Sequence, residues 1–294
     1  MRILILGITG MLGHAVWLNL KDRHNTFGSI RGNLEELSGK CSLFSQNDKR
    51  IISNTNVLSD SDLGRVLDSA EPDIIVNCAG IIKQLPNAKF PIPSISMNAL
   101  FPHRLGEMCT ERNIRLIHIS TDCVFSGKKG GYVESDISDA YDLYGRTKFL
   151  GEVTGNGCLT LRTSIVGRQL YGTSSLFEWF LSQKGRVRGY RRAIFSGLTT
   201  YILAEIIASL IEGHPTVDGL YHVSSEPVNK YDLLSKLKEV LKLDIEVVSD
   251  ESVVIDRSLD STRFRELTHI YIPTWDEMIK DFTKRIPDYE KWRF

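Results

Sequence analysis

The chain has 294 residues, 42% of them hydrophobic, and its 36 basic and 36 acidic residues cancel. This allows a sizeable core in one large domain or two intimate ones, and argues against nucleic acid or an anionic membrane as a partner. The N-terminal apolar stretch is too short for a signal peptide or a membrane span. Five scattered cysteines without a C-x-x-C pair argue against disulfides and zinc, so we expect a cytoplasmic protein without a metal site.

The first twenty residues predict a strand, a glycine-rich turn and a helix. Residues 2–6 form a short apolar run, and apolar residues recur at helical spacing from Ala15 to Leu20. The turn between them has the spacing G-x-x-G-x-x-G, which lets the backbone approach a pyrophosphate at the helix N-terminus. We therefore predict a dinucleotide site at Gly7, Thr9, Gly10, Met11, Leu12 and Gly13. His14 is expected on the helix surface near the pyrophosphate.

The end of the second predicted strand, 26–30, indicates which dinucleotide binds. An acidic residue there would hold a ribose 2′-hydroxyl, whereas an arginine can hold a 2′-phosphate. No Asp or Glu occurs from Thr26 to Leu34, and Arg31 follows the strand. Ser29 and Arg31 therefore favour NADPH over NADH. The alternative is that Arg31 is only a solvated charge at the strand end.

Strands and helices continue to alternate along the chain. We predict strands at 50–53, 72–80, 114–120, 159–163 and 220–223, and helices at 60–70, 97–112, 174–183, 199–212 and 230–241. This order predicts an α/β fold: a Rossmann-type, doubly wound parallel sheet with a smaller C-terminal α/β substrate-binding region. We expect a nucleotide-binding domain at 1–165, joined by 195–225, and a mainly substrate-binding region at 166–294.

Tyr144 and Lys148 form the strongest candidate for chemistry. They are four residues apart, so they share one face of a predicted helix, and an upstream strand ends in Thr121. An ammonium near a phenol favours the phenolate and lowers its pKa, so we expect Lys148 to lower the pKa of Tyr144. Such a tyrosine exchanges protons with a carbonyl or alcohol oxygen. His118, on the same apolar strand as Thr121, is predicted to be a core residue.

A basic stretch at 184–192 is the candidate for binding substrate phosphates. Arg188 and Arg191 lie in it, and arginine forks bind phosphate well. The alternative is a solvated surface run.

These residues together resemble the extended short-chain dehydrogenases/reductases, and among them the dTDP-4-dehydrorhamnose reductase-like sugar-nucleotide reductases. The resemblance rests on motifs that span most of the chain in the expected order. They are the glycine turn 7–13, Asn77-Cys78-Ala79-Gly80, Ser120-Thr121-Asp122-Cys123-Val124-Phe125-Ser126-Gly127, Tyr144-Gly145-Arg146-Thr147-Lys148, Leu161-Arg162-Thr163 and Leu259-Asp260-Ser261-Thr262-Arg263-Phe264.

The resemblance implies reduction of the 4-keto group of a nucleotide-linked 6-deoxysugar by NADPH. Tyr144 would protonate the developing alkoxide, Thr121 would position the oxygen, and Lys148 would hold the nicotinamide ribose. Further cofactor contacts would come from Cys78, Ala79, Gly80, Asn56 and Val57, with Asn56 replacing the aspartate that usually meets the adenine. Val124 and Phe125 would touch the sugar. The nucleotide is left open between dTDP and UDP, as is an N-acetylated sugar.

Three other functions occur among related proteins. A 4,6-dehydratase is disfavoured because Cys123 stands where those enzymes carry a glutamate. A 4-epimerase needs the same Thr, Tyr and Lys with tightly held NAD, but Arg31 favours NADP. A non-catalytic NADP-binding regulatory subunit, such as the beta subunit of methionine adenosyltransferase, stays open. Relatives also suggest a homodimer joined by helices.

Overall fold

The protein, described at residues 1–84 and 86–293 of a computed structural model, is built around a central sheet of seven parallel strands. Their order across the sheet is β11-β6-β5-β4-β1-β2-β3. The seven are β1 (Arg2–Leu6), β2 (Asn25–Ser29), β3 (Ile51–Ile52), β4 (Ile74–Asn77), β5 (Arg115–Thr121), β6 (Cys158–Thr163) and β11 (Gly219–His222). The order reverses between β1 and β4, and ligands of such sheets bind at the carboxyl ends of the strands at this point.

The remaining strands form three small sheets next to the main one. β7 (Ile165–Val166) pairs with β10 (Leu198–Thr199), and β8 (Gly185–Tyr190) pairs with β13 (Ile245–Asp250). The third sheet has the order β12-β9-β14. Its strands are β9 (Ala193–Phe195), β12 (Val228–Asn229) and β14 (Ile255–Asp256).

In the described part of the chain, twelve helices pack on the faces of the central sheet, around the small sheets and against one another. They are α1 (Gly13–Leu20), α2 (Leu34–Ser38), α3 (Asp60–Ala70), α4 (Pro91–Ile95), α5 (Phe101–Glu111), α6 (Leu143–Leu150), α7 (Leu176–Leu181), α8 (Thr200–Gly213), α9 (Lys230–Leu241), α10 (Thr262–Thr268), α11 (Trp275–Lys284) and α12 (Ile286–Trp292). Short 3-10 turns occupy Pro86–Lys89 and Asp122–Val124. Among the helices of the described ranges, none is long and apolar enough to cross a membrane.

The core lies in two layers because alternate residues of the parallel strands point to opposite faces. Ile3 and Ile5 of β1 join the cluster under α1 and α8, whereas Leu4 and Leu6 join the one under α3 and α5. Strands buried on both faces read as continuous apolar runs, which is why 3–6 and 74–76 are apolar throughout.

The predicted doubly wound parallel α/β fold is confirmed. Two local predictions differ from the structure. The predicted helix 97–112 begins with a π-helical turn at Ser96–Leu100, and α5 follows it from Phe101. The basic stretch 184–192 contains strand β8, in which exposed arginines alternate with the buried Val187.

Candidate functional site

A cleft of about 650 Å³ opens at the carboxyl ends of β1, β4 and β5, a size typical of small-molecule sites. One wall contains the glycine turn and the residues after β4. The floor contains the end of β5 and helix α6. The opposite wall is built from 163–176, strand β9, the first residue of α9 and Arg257.

The glycine turn is closely packed under the N-terminus of α1. Gly7 has a φ of +85°, which favours glycine, and its N–H bonds the backbone oxygen of Ser29. A Cβ on Gly13 would lie 2.1 Å from the backbone oxygen of Gly7, so a side chain there would push α1 away. Thr9, Gly10, Met11 and Leu12 line the cleft. This backbone cradle beside a helix N-terminus fits a pyrophosphate, so the residues present are compatible with a dinucleotide.

Thr121, Tyr144 and Lys148 all line the floor of the cleft. Thr121 ends β5, and its hydroxyl accepts from the N–H of Cys123 and donates to Asp122 at 3.1 Å each. Helix α6 begins with Asp142 capping the N–H of Gly145. A Cβ on Gly145 would lie 2.2 Å from the Cys123 carbonyl oxygen, so this glycine lets α6 approach the end of β5.

The pKa of Tyr144 is raised above its ordinary value, chiefly because burial disfavours the phenolate. The neighbouring Cys123 raises this pKa further, and a side-chain hydrogen bond with Thr121 opposes the shift. Lys148 is not among the groups that most affect it. The net shift of the Tyr144 pKa is therefore upward and not downward as expected, and Tyr144 is a neutral phenol, the form that donates a proton.

Lys148 is buried, and burial lowers the pKa of its amino group to about 8. Its Nζ donates to the backbone oxygen of Ile119 at 2.7 Å and lies 3.4 Å from Nε2 of His118. His118 Nδ1 lies 3.1 Å from Nδ2 of Asn77. His118 is therefore a core residue, as predicted, and it packs directly beneath the lysine.

The residues after β4 line the cleft as the cofactor prediction requires. Cys78, Ala79 and Gly80 are all there. Asn98, in the π-helical turn, holds the next residue by accepting from the N–H of Ile81 and donating to its carbonyl, at 2.9 Å each. Sequence reasoning missed Asn98, because a buried amide inside a helical pattern gives no signal of its own.

The residues predicted to hold the adenosine half lie outside the cleft lining described above. Arg31 and Asn56 are exposed, and Val57 is half-buried. Asn56 Oδ1 accepts from the N–H of Leu58 at 3.2 Å. The prediction that Ser29 contacts the cofactor is wrong, because Ser29 is buried and its hydroxyl accepts a hydrogen bond from the N–H of Gly7. It supports the glycine turn from below instead of facing a ligand.

The prediction that Val124 and Phe125 touch the sugar is also wrong. Both side chains are fully buried, and neither lines the cleft. They form a separate small cluster with Tyr132 and Leu259, in which the rings of Phe125 and Tyr132 stack 4.1 Å apart. The chain turns away from the cleft after Cys123, so these apolar side chains pack inside the protein and do not reach the cleft.

Arg188 and Arg191 do not line the cleft either. Arg188 lies on β8 with its side chain 74% exposed and pairs with Asp250 at 3.4 Å. Arg191 donates to Ser249 and stacks over the Tyr231 ring. The alternative interpretation of a surface run therefore describes these two arginines.

On the wall opposite the glycine turn, Lys230 and Arg257 line the cleft. Arg257 uses its Nε to donate to the backbone oxygen of Phe125 at 2.8 Å. Within residues 1–84 and 86–293, neither cation forms an ion pair with a carboxylate. Burial lowers the pKa of Lys230, and Arg257 lowers it further. Arg257 comes just before segment 259–264, one of the motifs that carry the family resemblance, and this position could have pointed to it as a site residue. No motif in the sequence points to Lys230.

Cys123 also faces the cleft, at the position discussed for the dehydratases. Burial and the nearby Asp122 raise the pKa of its thiol to about 12. The thiol therefore stays protonated at neutral pH and is not a base.

Comparison with known proteins agrees with this geometry. The chain is 27% identical to the probable low-salt glycan biosynthesis reductase Agl14 of Haloferax volcanii, over 90% of this chain and 88% of that protein. It is 29% identical to a dTDP-4-dehydrorhamnose reductase of Aggregatibacter actinomycetemcomitans, over 79% and 76%. It is also 24% identical to the methionine adenosyltransferase 2 subunit beta of Bos taurus, over 82% and 72%.

Among solved structures, the fold matches a dTDP-4-dehydrorhamnose reductase of Bacillus anthracis in complex with NADP, with a TM-score of 0.79 and 19% identity. The match covers 97% of this chain and 99% of that one. The model of the RmlD substrate binding domain family matches residues 1–287. The chain therefore belongs to the RmlD substrate binding domain family.

Proposed function

We propose that the protein reduces the 4-keto group of a nucleotide-linked 6-deoxyhexose with NADPH, in the synthesis of surface polysaccharide precursors. The observation that carries the proposal is one cleft that joins the glycine turn to Thr121, Tyr144 and Lys148 and ends at two cations, Lys230 and Arg257. The named reductases among its relatives support it.

The protonation states suit reduction. When bound, NADPH supplies the hydride for the keto carbon, and negative charge then grows on the keto oxygen. Tyr144, whose pKa is raised by burial, is protonated at neutral pH and donates its proton to that oxygen. Thr121 positions the oxygen. Lys148, with a pKa of about 8, presents its amino group to the ribose hydroxyls.

The two cations favour a nucleoside diphosphate sugar over a free sugar. Arg257 binds protein through Nε, so the other nitrogens of its guanidinium are available to a ligand. Lys230 adds a point charge beside it. A diphosphate satisfies both cations, and arginine forks bind phosphate oxygens in a bidentate way. The nucleotide is dTDP or UDP in this proposal, and the sugar is rhamnose-type or N-acetylated.

The deciding experiment follows NADPH oxidation with 4-keto-6-deoxy sugars carried on dTDP, UDP or GDP. The proposal expects turnover with a clear preference for one carrier, and little turnover with the free keto sugar. Binding of NADPH without turnover of any member would contradict it. That result would favour the second candidate, a non-catalytic NADP-binding regulatory subunit, which the relationship to methionine adenosyltransferase 2 subunit beta supports.

We also propose that two copies of the chain associate through α4 and α6. These helices pack against each other and leave apolar side chains in water, namely Ile92, Ile95, Phe149 and Leu150. Contiguous exposed apolar surface of this kind marks interaction sites. Light scattering tests the dimer, which Ile92→Glu with Leu150→Glu is expected to dissociate. The reaction itself is expected in the cytoplasm, where the five free thiols stay reduced.

A further inference from the structure

The C-terminal helix α12 reaches the glycine turn through a buried histidine. His14 was expected on the surface of α1, but its side chain is completely buried. Its Nδ1 lies 2.7 Å from the backbone oxygen of Gly10, and its Nε2 is hydrogen-bonded to the hydroxyl of Tyr289 in α12. Residues 275 positions apart are therefore joined beneath the predicted pyrophosphate site.

The hydrogen bonds determine the tautomer of His14. A carbonyl oxygen only accepts, so Nδ1 carries the proton that bonds Gly10. Nε2 then accepts, and the hydroxyl of Tyr289 donates to it. Burial lowers the pKa of His14 to about 4, in agreement with a neutral ring. The direction is thus unambiguous: Tyr289 donates to His14, and His14 donates to Gly10.

This arrangement fixes the orientation of one peptide group in the glycine turn. The Gly10 oxygen accepts both His14 Nδ1 and the backbone N–H of His14, the latter at 3.1 Å. In a trans peptide the C=O and the following N–H point in opposite directions. The N–H of Met11 therefore points away from α1, toward the cleft that Met11 lines. It is one of the donors that a pyrophosphate at this helix N-terminus would need.

The same C-terminal segment holds the facing wall of the cleft. The guanidinium of Arg293 donates to the backbone oxygen of Gln169 and to Glu178. Glu178 also accepts from Nε of Arg168 at 2.6 Å and from the N–H of Gln169 at 2.9 Å. Gln169 lines the cleft. Helix α12 and the residue after it thus contact both walls.

We propose that Tyr289 and His14 are positioning residues for the cofactor: the C-terminal helix, acting through them, orients the glycine turn for a pyrophosphate. The inference rests on the proposed use of NADPH, but it needs no assumption about the sugar. Neither residue touches the ligand.

The test measures cofactor binding in the full-length protein without a sugar substrate. Tyr289→Phe removes one hydroxyl and keeps the ring. We expect the Kd for NADPH to rise about tenfold, the scale of losing one buried hydrogen bond. The Kd for 2′-AMP, which lacks the pyrophosphate, should stay unchanged. Tyr221→Phe is the matched control, because Tyr221 is also buried and its hydroxyl makes no hydrogen bond with the described residues.

A double variant separates positioning from general stability. His14→Phe removes the acceptor to which the buried Tyr289 hydroxyl donates, so the Tm of this variant should fall. His14→Phe combined with Tyr289→Phe removes both polar groups, so Tm should recover toward the wild-type value. If the hydrogen bonds from Tyr289 to His14 and from His14 to Gly10 position the glycine turn, NADPH binding stays weak in the double variant.

Three outcomes would overturn the inference. They are an unchanged NADPH Kd in Tyr289→Phe, an equal loss for 2′-AMP, and NADPH affinity that recovers together with Tm in the double variant. A wild-type protein that binds no NADPH would overturn both this inference and the proposed function. Wild-type binding without turnover of any sugar would count against the proposed function only.

Discussion

At the catalytic end of the cleft, the functional side chains come from short, rigid pieces of chain. Tyr144 and Lys148 lie one turn apart on α6, and Thr121 ends β5. At the opposite end, Lys230 begins α9 and Arg257 follows β14, and the small sheet β12-β9-β14 brings the two together. The proposed chemistry at one end depends on spacing within single elements. The proposed binding of a diphosphate at the other end depends on long-range packing.

The strongest test of the catalytic end is Tyr144→Phe, which removes the proton donor and little else. We expect kcat to fall by roughly 10²–10⁴-fold, the usual contribution of general acid catalysis. The Kd for NADPH should not change, because the cofactor is held by the glycine turn. Stopped-flow oxidation and equilibrium titration give the two quantities. Unchanged turnover would show that Tyr144 is not the proton donor.

The substrate end is tested by comparing two arginines. Arg257→Met should raise KM for the sugar nucleotide by about 10–100-fold, as expected for a charged hydrogen bond of roughly 1.5–3 kcal/mol. Arg188→Met, on exposed β8, should change KM less than about twofold, since surface ion pairs contribute little. Steady-state kinetics of both variants decide between them. A larger increase in KM for Arg188→Met than for Arg257→Met would indicate that the basic stretch 184–192 binds the substrate phosphates.

Phe125→Leu tests whether the residues after Cys123 belong to the core or to the substrate site. The side chain is fully buried against Tyr132, so we expect the free energy of unfolding to fall by roughly 1–3 kcal/mol. KM for the sugar nucleotide should be unaffected. Urea titration measures the first quantity. A raised KM with an unchanged free energy of unfolding would indicate that Phe125 contacts the sugar.

The smallest expected effect concerns cofactor preference at Arg31. This side chain is exposed after β2, and no hydrogen bond or ion pair joins it to another of the described residues. Arg31→Ala should weaken NADPH by about 5–10-fold, the scale of one partly solvated charged contact, and leave NADH nearly unchanged. Parallel Kd measurements with both cofactors show whether the loss is selective. Equal losses would mean that Arg31 does not read the 2′-phosphate.

The sequence by itself determined the parallel sheet, the glycine turn and the helix that carries Tyr144 and Lys148. Apolar runs, glycine spacing and the four-residue step from Tyr144 to Lys148 are local properties of short segments, so they can be recognised in the sequence without knowledge of the fold. The tertiary structure decided which side chains face the cleft. It buried Ser29 and Phe125, raised the pKa of Tyr144 by desolvation, and joined His14 to Tyr289. Burial and long-range contact depend on how distant segments pack, and no spacing along the chain encodes them.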